Sequence, residues 1–319
     1  MRKPSRAVGV AVGALAVALT AGAFAFAPAS ASAPASAAAP TVTSSKVPAS
    51  IRPSAPLKTV GAGPSAAAVV SAATSVTSLQ SANWAGYAAS LGTTTFRFVS
   101  AQFTVPTVDC TGVTAPNGAW SGHWVGLDGF RSTSTTVEQI GLVAGCDGTS
   151  TTPVYAPFWE MFPNAANEPN IPVSPGDTIS LSVFYNKSTR KFTLTFSDTT
   201  NGQHFSRTRA CPAGATCRRN SAETISEAPA EVNGSTVSIL PLANFQTANF
   251  ANVSITNTSG THRGGLRSSF WNTFEITQAS DGTNVTITNA TIPAGTPLDV
   301  PSALSLKRNF SDQWQAANG

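Results

Sequence analysis

The sequence predicts an all-β domain, built as an antiparallel sandwich or barrel, behind a long amino-terminal leader. Apolar and polar residues alternate with a period of two, most clearly over residues 178–185 and 191–198. This period is typical of a strand with one buried face. Gly, Asn, Pro and Asp separate the short runs, and no part of the domain has a convincing helical period. Repeated short strands with such turn residues favour an antiparallel all-β architecture.

The individual strands follow from the same alternation. The five residues NKSTR, between the two clearest runs, are predicted to form a hairpin loop. The stretch 302–314 fits either a short helix or a surface strand and is left unassigned. Further strands are predicted at residues 236–240, 250–257, 271–277 and 284–292.

The amino terminus has the features of an export signal. Three bases within the first six residues precede an apolar run that ends near Ala27, and Ala29-Ser30-Ala31 follows as a small-x-small cleavage motif. We therefore expect residues 1–31 to be a signal peptide and the mature protein to be secreted and extracellular. An uncleaved membrane anchor is the alternative, but after signal removal we expect no membrane attachment.

Residues 32–79 are almost entirely Ala, Ser, Pro, Thr and Val, without any Phe, Trp or Tyr. Such a composition is not expected to build a core, so we interpret residues 32–79 as a pro-segment or linker and residues 80–319 as the folded domain. Bases of the segment should attract the acids of the domain, and this attraction should weaken as the carboxylates are protonated. We expect the segment to be lost at low pH, by cleavage between about Ser65 and Gln80.

The charge balance argues against a nucleic-acid partner. The formal net charge is +4, but six of the nineteen bases lie before residue 80. The domain keeps thirteen bases against fifteen acids, a balance of −2. A nucleic-acid-binding domain would be expected to keep a basic patch after processing.

Four cysteines in an exported chain predict two disulfides, with three possible connectivities. We favour Cys110 with Cys146 and Cys211 with Cys217. The three histidines stand apart, and neither CxxC pairs nor HExxH occur. We therefore expect no metal site and no cofactor.

The sequence lacks the motifs of several hydrolase families, including those that use a serine or cysteine nucleophile. The sequence has no GxSxG or GDSGG motif, and paired cysteines would leave no free thiol. Asp147 and Asp281 sit in Asp-Gly-Thr, the reverse order of pepsin-type elements. Carboxylates and amides on strands remain, and several share a strand face with aromatic or small residues, as a substrate cleft would require. These polar residues are Asp128, Gln139, Glu160, Glu223 and Glu227.

Six short blocks occur in a specific order along the domain: SANWAGY (81–87), HWVGLDGF (123–130), VEQIG (137–141), FWEMFPN (158–164), VSPGDTI (173–179) and CRRNSAETISEAP (217–229). In this order they resemble the successive blocks of the glutamic peptidase (eqolisin) family, in a bacterial-type member. The resemblance implies two packed antiparallel sheets, a concanavalin A-like β-sandwich with a cleft on its concave face. It also implies a monomeric acid endopeptidase that acts on polypeptide substrates.

Carried over residue by residue, the resemblance implies that Gln139 is the catalytic glutamine and Glu227 the catalytic glutamate. An amide can orient water and stabilise an oxyanion, while a carboxylate can shuttle a proton. The chain departs from fungal members at Phe162, where Tyr is usual, and near Ser132, where a cysteine is expected. The family's cleft positions fall on Trp84, Trp124, Asp128, Glu160 and Phe162, all assigned to substrate binding or orientation of the dyad.

Some residues keep two interpretations. Trp159, on the opposite face from Glu160, is assigned a structural role, and Asp128 could cap a loop instead of lining the cleft. Glu223 is either a third acid near the site or a surface residue. A carbohydrate-binding, lectin-like sandwich is the main alternative function, because tryptophans on a concave face often bind sugars. A glycoside hydrolase with Glu160 and Glu227 as its paired carboxyls is a second alternative.

Overall fold

One long, curved sheet supplies the framework of the molecule. A computed structural model describes residues 47–48, 50–52, 56–60, 76–233 and 236–315. The predicted signal peptide, most of the predicted pro-segment and most of its expected cleavage region lie outside the described residues. Secondary structure within the described ranges consists of strands and turns. None of these residues belongs to a helix that could span a bilayer.

The strands are numbered in chain order, and all but three form the continuous path of the large sheet or attach to its side. Their bounds are β1 (Ile51–Arg52), β2 (Val76–Ser81), β3 (Trp84–Ser90), β4 (Phe96–Thr104), β5 (Ala119–Leu127), β6 (Val137–Cys146), β7 (Val154–Phe162), β8 (Thr178–Asn186), β9 (Lys191–Asp198), β10 (His204–Ala210), β11 (Ala222–Glu227), β12 (Ala230–Asn233), β13 (Thr236–Ile239), β14 (Thr247–Asn257), β15 (Arg263–Gly264), β16 (Asn272–Ala279), β17 (Pro297–Pro301) and β18 (Phe310–Trp314).

The large sheet folds back on itself as a sandwich. Its strand order is β10-β9-β8-β4-β14-β18-β17-β16-β3-β11-β5-β6-β7, with β15 beside β14 and β2 parallel to β16. Strands β8 and β9 pack against β6, and β8 also packs against β5. The two halves of the sheet therefore form two layers, and the predicted all-β sandwich is confirmed. A separate three-stranded sheet has the order β1-β12-β13.

Alternation along each strand separates two apolar clusters. In β6, Ile140 and Leu142 enter the main core between the layers, whereas Val143 belongs to a second cluster on the opposite face. That opposite face, formed by β3, β11, β5, β6 and β7, is here called the site face. It carries Trp84, Trp124, Gln139, Phe158 and Ile225.

Most of the strand predictions are confirmed, including the hairpin loop between β8 and β9 and the strands β13, β14 and β16. The strand predicted at 284–292 is wrong. Only an isolated bridge joins Val285 and Thr291, and the Thr286 hydroxyl accepts hydrogen bonds from the backbone N–H groups of Thr288 and Ala290. These bonds close a local turn, and they take the place of the inter-strand hydrogen bonds that a β-strand would make. The unassigned carboxy-terminal stretch contains β18, and β2 begins at Val76, before the predicted domain start at residue 80.

Both favoured disulfides are confirmed. Cys110 bonds to Cys146 with a Cα–Cα distance of 5.6 Å, which ties the segment after β4 to the end of β6. Cys211 bonds to Cys217 at 5.9 Å and closes the short loop that precedes β11.

Candidate active site

A direct contact between neighbouring strands orients the predicted catalytic amide. Gln139 in β6 and Glu160 in β7 are register partners, and Gln139 Nε2 donates a hydrogen bond of 2.7 Å to Glu160 Oε2. Both side chains are fully buried. No described residue donates to Gln139 Oε1. Since an amide nitrogen carries two hydrogens, Gln139 keeps one N–H donor and its carbonyl acceptor for other partners.

Glu227 lies over a glycine at the end of β11. Its register partners are Trp84 on one side and Gly122 on the other. A Cβ at position 122 would lie 3.1 Å from Glu227 Cγ and 3.5 Å from Glu227 Oε1. Gly122 therefore provides the space that the Glu227 side chain occupies, and a larger residue there would displace the carboxyl group. Gly122 was not among the residues predicted from the sequence, although it falls on the same alternating face as Trp124.

Strand β5 lies between the strands that carry the two predicted catalytic residues. Its site face presents Gly122, Trp124 and Gly126 in turn. Gly126 is the register partner of both Gln139 and Glu223, so Glu227 lies four residues further along β11 than the row of Gln139. The structure thus places Gln139 and Glu227 on one face, two strands apart and in different rows.

Glu223 shares the row of Gln139 and is fully buried on the site face. Burial raises the pKa of Glu223 well above its ordinary value, and the nearby charges of Asp128 and Glu138 raise it further, while the neighbouring Ser221 hydroxyl acts in the opposite direction. The surface interpretation of Glu223 is therefore wrong, and this residue is a third carboxyl group beside the predicted dyad.

Aromatic side chains surround these polar groups. Trp84 and Trp124 make an edge-to-face contact with 5.0 Å between ring centroids, a favourable geometry for such pairs. Phe162 packs at the edge of the same cluster and is partly exposed. Trp159 instead joins the main core, and the guanidinium of Arg209 lies 4.8 Å from its ring centroid. The structural role predicted for Trp159 agrees with this position.

The carboxylate of Asp128 accepts hydrogen bonds from the backbone of the loop that leads into β11. This residue has a positive φ of 70°, and its carboxylate accepts hydrogen bonds from the backbone N–H groups of Arg219 at 2.6 Å and Asn220 at 3.0 Å. Ser134 Oγ donates a third bond of 3.3 Å. Burial raises the pKa of Asp128, and these N–H donors oppose the rise. The contacts correspond to the loop-capping interpretation, so Asp128 positions the strand that carries Glu227.

His123 is an unsuitable base despite its place next to Trp124. It points into the main core, where Nδ1 lies 3.0 Å from Ser226 Oγ. Burial lowers the pKa of His123 to about 3, which keeps the ring neutral over most of the acid range. In the described part of the chain, no three His, Cys, Asp or Glu side chains gather as a potential metal site.

Part of the predicted pro-segment lies on the site face. Val47 and Ile51 are 4% and 5% exposed and belong to the same apolar cluster as Trp84 and Trp124. Lys58 Nζ lies 2.8 Å from Asp281 Oδ2, an ion pair of the kind expected between this segment and the domain. Burial raises the pKa of Asp281, but hydrogen bonds from Lys58 and Thr283 outweigh it and lower the pKa to about 2. This ion pair should therefore persist through most of the acid range.

Known structures share this architecture. A crystal structure of scytalido-glutamic peptidase with a peptide-based transition-state analogue is 25% identical to the chain, with a TM-score of 0.54. The match covers 73% of this chain and 98% of that one. SCP-B, a member of the eqolisin family solved with the tripeptide Ala-Ile-His, is 24% identical with a TM-score of 0.52 and the same coverage. Among curated proteins, none matches the chain.

The sequence itself matches a peptidase family over most of the domain. Residues 82–298 match the Peptidase A4 family, a span that contains every strand of the site face. This match agrees with the six ordered sequence blocks and with the structural likeness to scytalido-glutamic peptidase. The chain therefore belongs to the Peptidase A4 (eqolisin) family and is a glutamic-type endopeptidase.

Proposed function

We propose that the protein is a secreted acid endopeptidase in which Gln139 and Glu227 together activate the water that attacks the peptide bond. The observation that carries this proposal is the Gln139 amide, held by Glu160 on the same glycine-lined face as Glu227. Purified protein should hydrolyse denatured casein between pH 2 and pH 5, and a complete lack of hydrolysis over pH 2–7 would contradict the proposal.

The proposed reaction needs only these two groups and water. Glu227, as a carboxylate, takes a proton from water while the water oxygen bonds to the carbonyl carbon. The free N–H of Gln139 stabilises the oxyanion that develops on the carbonyl oxygen. When the tetrahedral intermediate collapses, the C–N bond breaks and Glu227 returns the proton to the leaving amine. The products are a carboxylic acid and an amine, and Glu227 is again ionised.

Export and acid conditions are supported by separate features. Residues 1–31 have the pattern of a signal peptide, and both disulfides are of the kind that persists outside the cell. Burial raises the pKa of several carboxyl groups, Glu138 and Glu223 among them, so that they are neutral in acid. At low pH these buried carboxyl groups carry no charge, so acid conditions favour the folded state.

The rival interpretations meet specific obstacles. The sugar-binding interpretation accounts neither for the match to a peptidase family nor for the contact of Gln139 with Glu160 on the site face. In a glycoside hydrolase, Glu160 and Glu227 would act as a pair, but the carboxylate of Glu160 accepts the amide of Gln139. In the proposed peptide hydrolysis, Glu160 holds the Gln139 amide and Glu227 carries the proton, so the contact of Glu160 with Gln139 is compatible with the reaction.

Gln139→Ala is expected to lower kcat about 100- to 1000-fold, the usual loss when an oxyanion donor is removed. Because Gln139 and Glu227 are proposed to act on the same water, the double variant with Glu227→Gln should be little worse than the poorer single variant. Initial rates on a quenched peptide near pH 4 would measure this. Additive losses would show that the two residues act in separate steps.

Glu160 is proposed to position Gln139, and its variants should separate this role from catalysis. Glu160→Gln keeps an oxygen that can accept from Gln139 Nε2, so we expect a loss of about tenfold in kcat. Glu160→Leu removes the acceptor and should lose about 100-fold, since small misplacements of a catalytic group have effects of this size. KM should change little in both. Equal activity of the two variants would contradict the positioning role.

A further inference from the structure

A basic cavity lies beside the disulfide loop that precedes β11. Its volume is about 480 Å³, and it is open to solvent. Three of the residues that line it are arginines (Arg131, Arg218 and Arg219), four are threonines, and none is acidic. The cavity therefore offers guanidinium and hydroxyl donors without a competing carboxylate on its wall.

Arg219 is held in place by its own backbone and by an aromatic ring. Its N–H donates to Asp128 Oδ2 at 2.6 Å, and its carbonyl accepts a 2.7 Å bond from the N–H of Phe96. Its guanidinium lies 3.8 Å from the centroid of the Tyr185 ring. The Nε and Nη1 atoms of Arg219 are buried, and no described residue accepts a hydrogen bond from either. Buried donors of this kind normally have a partner, so Arg219 keeps two N–H groups for an anion.

The positive charge of the cavity persists in acid. Burial, and then the charge of Asp128, raise the pKa of Glu138 well above its ordinary value, and the charge of Arg219 opposes the rise only in part. Glu138 is therefore neutral in acid. Asp128 bonds to the backbone of the loop, and within the described ranges no arginine of the cavity forms an ion pair with a carboxylate.

Further bases surround the cavity in the sequence. Residues 178–197 contain three bases and residues 205–222 contain four, and neither stretch has an Asp or Glu. These seven are more than half of the thirteen bases of the domain, although acids outnumber bases in the domain as a whole. The net balance of −2 thus hides a local basic surface.

The turn between β8 and β9 adjoins the cavity. It carries Lys187 and Arg190, and Lys191 begins β9 directly after it. All three side chains are exposed. Tyr185, whose ring contacts Arg219, lies two residues before Lys187 at the end of β8. A ligand that fills the cavity therefore has a second group of bases next to it.

We propose that this cavity binds a phosphate group, and that the turn between β8 and β9 extends the site to the neighbouring groups of a phosphate polymer. Guanidinium groups pair with phosphate through two parallel N–H···O bonds. A phosphate group still carries a negative charge at pH 3, because only its second ionisation, with a pKa of about 6, is lost. Most polypeptide carboxyl groups, with pKa values of about 4, are protonated there. A site of this kind would hold the protein on phosphate polymers in an acid medium.

The chemistry of the cavity favours a phosphate polymer without bases over a nucleic acid. Proteins that bind single strands combine a basic groove with aromatic rings on which bases stack. None of the described residues that line the cavity is aromatic, and the neighbouring ring of Tyr185 is covered by Arg219.

The first test titrates fluorescently labelled polyphosphate into the full-length chain at pH 3 and low ionic strength. The wild type should bind it, and Arg218→Ala should bind it about tenfold more weakly, the usual effect of removing a charged hydrogen-bond donor. Arg218→Lys should keep much of the affinity. Lys307→Ala is the matched control, because it removes an exposed base from the turn before β18. Equal losses in the two Ala variants would mean diffuse attraction and would overturn the proposal.

Orthophosphate separates the cavity from the turn. Its weak binding should be lost in Arg218→Ala and kept in the Lys187→Ala, Lys191→Ala double variant. Polyphosphate should bind the wild type about tenfold more tightly than orthophosphate, because its groups also reach the turn, and the double variant should lose this advantage. Unchanged affinity of the double variant for polyphosphate would overturn the extension to a polymer.

Two competing polymers decide the class of ligand at pH 3. Neither polyglutamate nor a single strand of oligothymidylate should displace the labelled polyphosphate as well as unlabelled polyphosphate does. Equal displacement by oligothymidylate would overturn the proposal in favour of a nucleic acid, and equal displacement by polyglutamate in favour of an acidic polypeptide. Circular dichroism checks the fold of each variant. Each of these measurements is of binding, so they decide the proposal even if the protein shows no peptidase activity.

Discussion

Replacing Glu227 by Gln is expected to abolish peptide hydrolysis, with a fall in kcat of about 1000-fold or more, while the fold is retained. The substitution keeps the shape of the side chain above Gly122 but removes the group that takes and returns the proton. Loss of a positioned acid–base group typically lowers the rate by about 100- to 10,000-fold. Rates on a quenched peptide near pH 4, with circular dichroism to check folding, measure the effect.

Glu138→Gln is the matched control for this change. Glu138 is also a fully buried glutamate and directly precedes Gln139, but it belongs to the opposite face of β6. Its substitution should leave kcat within about twofold of the wild type. A folded Glu227→Gln protein that keeps more than a few per cent of activity would remove Glu227 as the base, and Glu223, in the row of Gln139, would be the next residue to test.

The folded protein is expected to be more stable in acid than at neutral pH. Asp299 in β17 and Asp312 in β18 are fully buried on adjacent strands. Burial raises the pKa of Asp312 to about 7 from an ordinary 3.8, and the nearby Ser226 hydroxyl opposes the rise. Burial, and then the charge of Asp312, raise the pKa of Asp299 well above its ordinary value. Both groups therefore bind their protons more tightly in the folded state.

The sign of the pH dependence follows from these raised pKa values. For Asp312, the stabilisation is fully present below the unfolded pKa of about 4 and is lost as the pH rises through the folded pKa of about 7. For Asp312 alone, the gap between 3.8 and about 7 corresponds to on the order of 4 kcal/mol, or roughly 10 °C in Tm for a domain of this size. Urea unfolding at pH 3 and pH 7.5 would measure the difference.

Asp299→Asn should flatten this pH dependence. An amide cannot ionise, so the variant should gain stability at pH 7.5 relative to the wild type and gain little at pH 3. Asp147→Asn is a control of opposite sign, because a hydrogen bond from the backbone of Thr149 lowers the pKa of Asp147. That variant should lose stability at neutral pH only. A wild-type protein that is more stable at pH 7.5 than at pH 3 would contradict the expected effect of the buried pair.

Local patterns in the sequence were sufficient for much of the fold. A period of two reports which side chains share a strand face, so the burial of Ile140 and Leu142 opposite Gln139 could be predicted without knowledge of any partner strand. The same reasoning failed at 284–292, because a turn closed by Thr286 has the alternation of a strand but not its hydrogen bonds. Alternation describes the chain locally and says nothing about which donors are satisfied.

The sequence by itself determined the all-β class, the two disulfides, the faces of the strands and, through six ordered blocks, the family and its candidate residues. Only the tertiary structure decided which of those residues meet. The contact of Gln139 with Glu160, the glycine beneath Glu227 and the place of Glu223 in the row of Gln139 all depend on strand register. Register and strand order arise from pairing between distant segments, as when β3 lies beside β11, and side-chain alternation in a single strand does not encode them. The docking of the leader on β12 was hidden for the same reason, since Val47 and Ile51 are buried only by residues far along the chain.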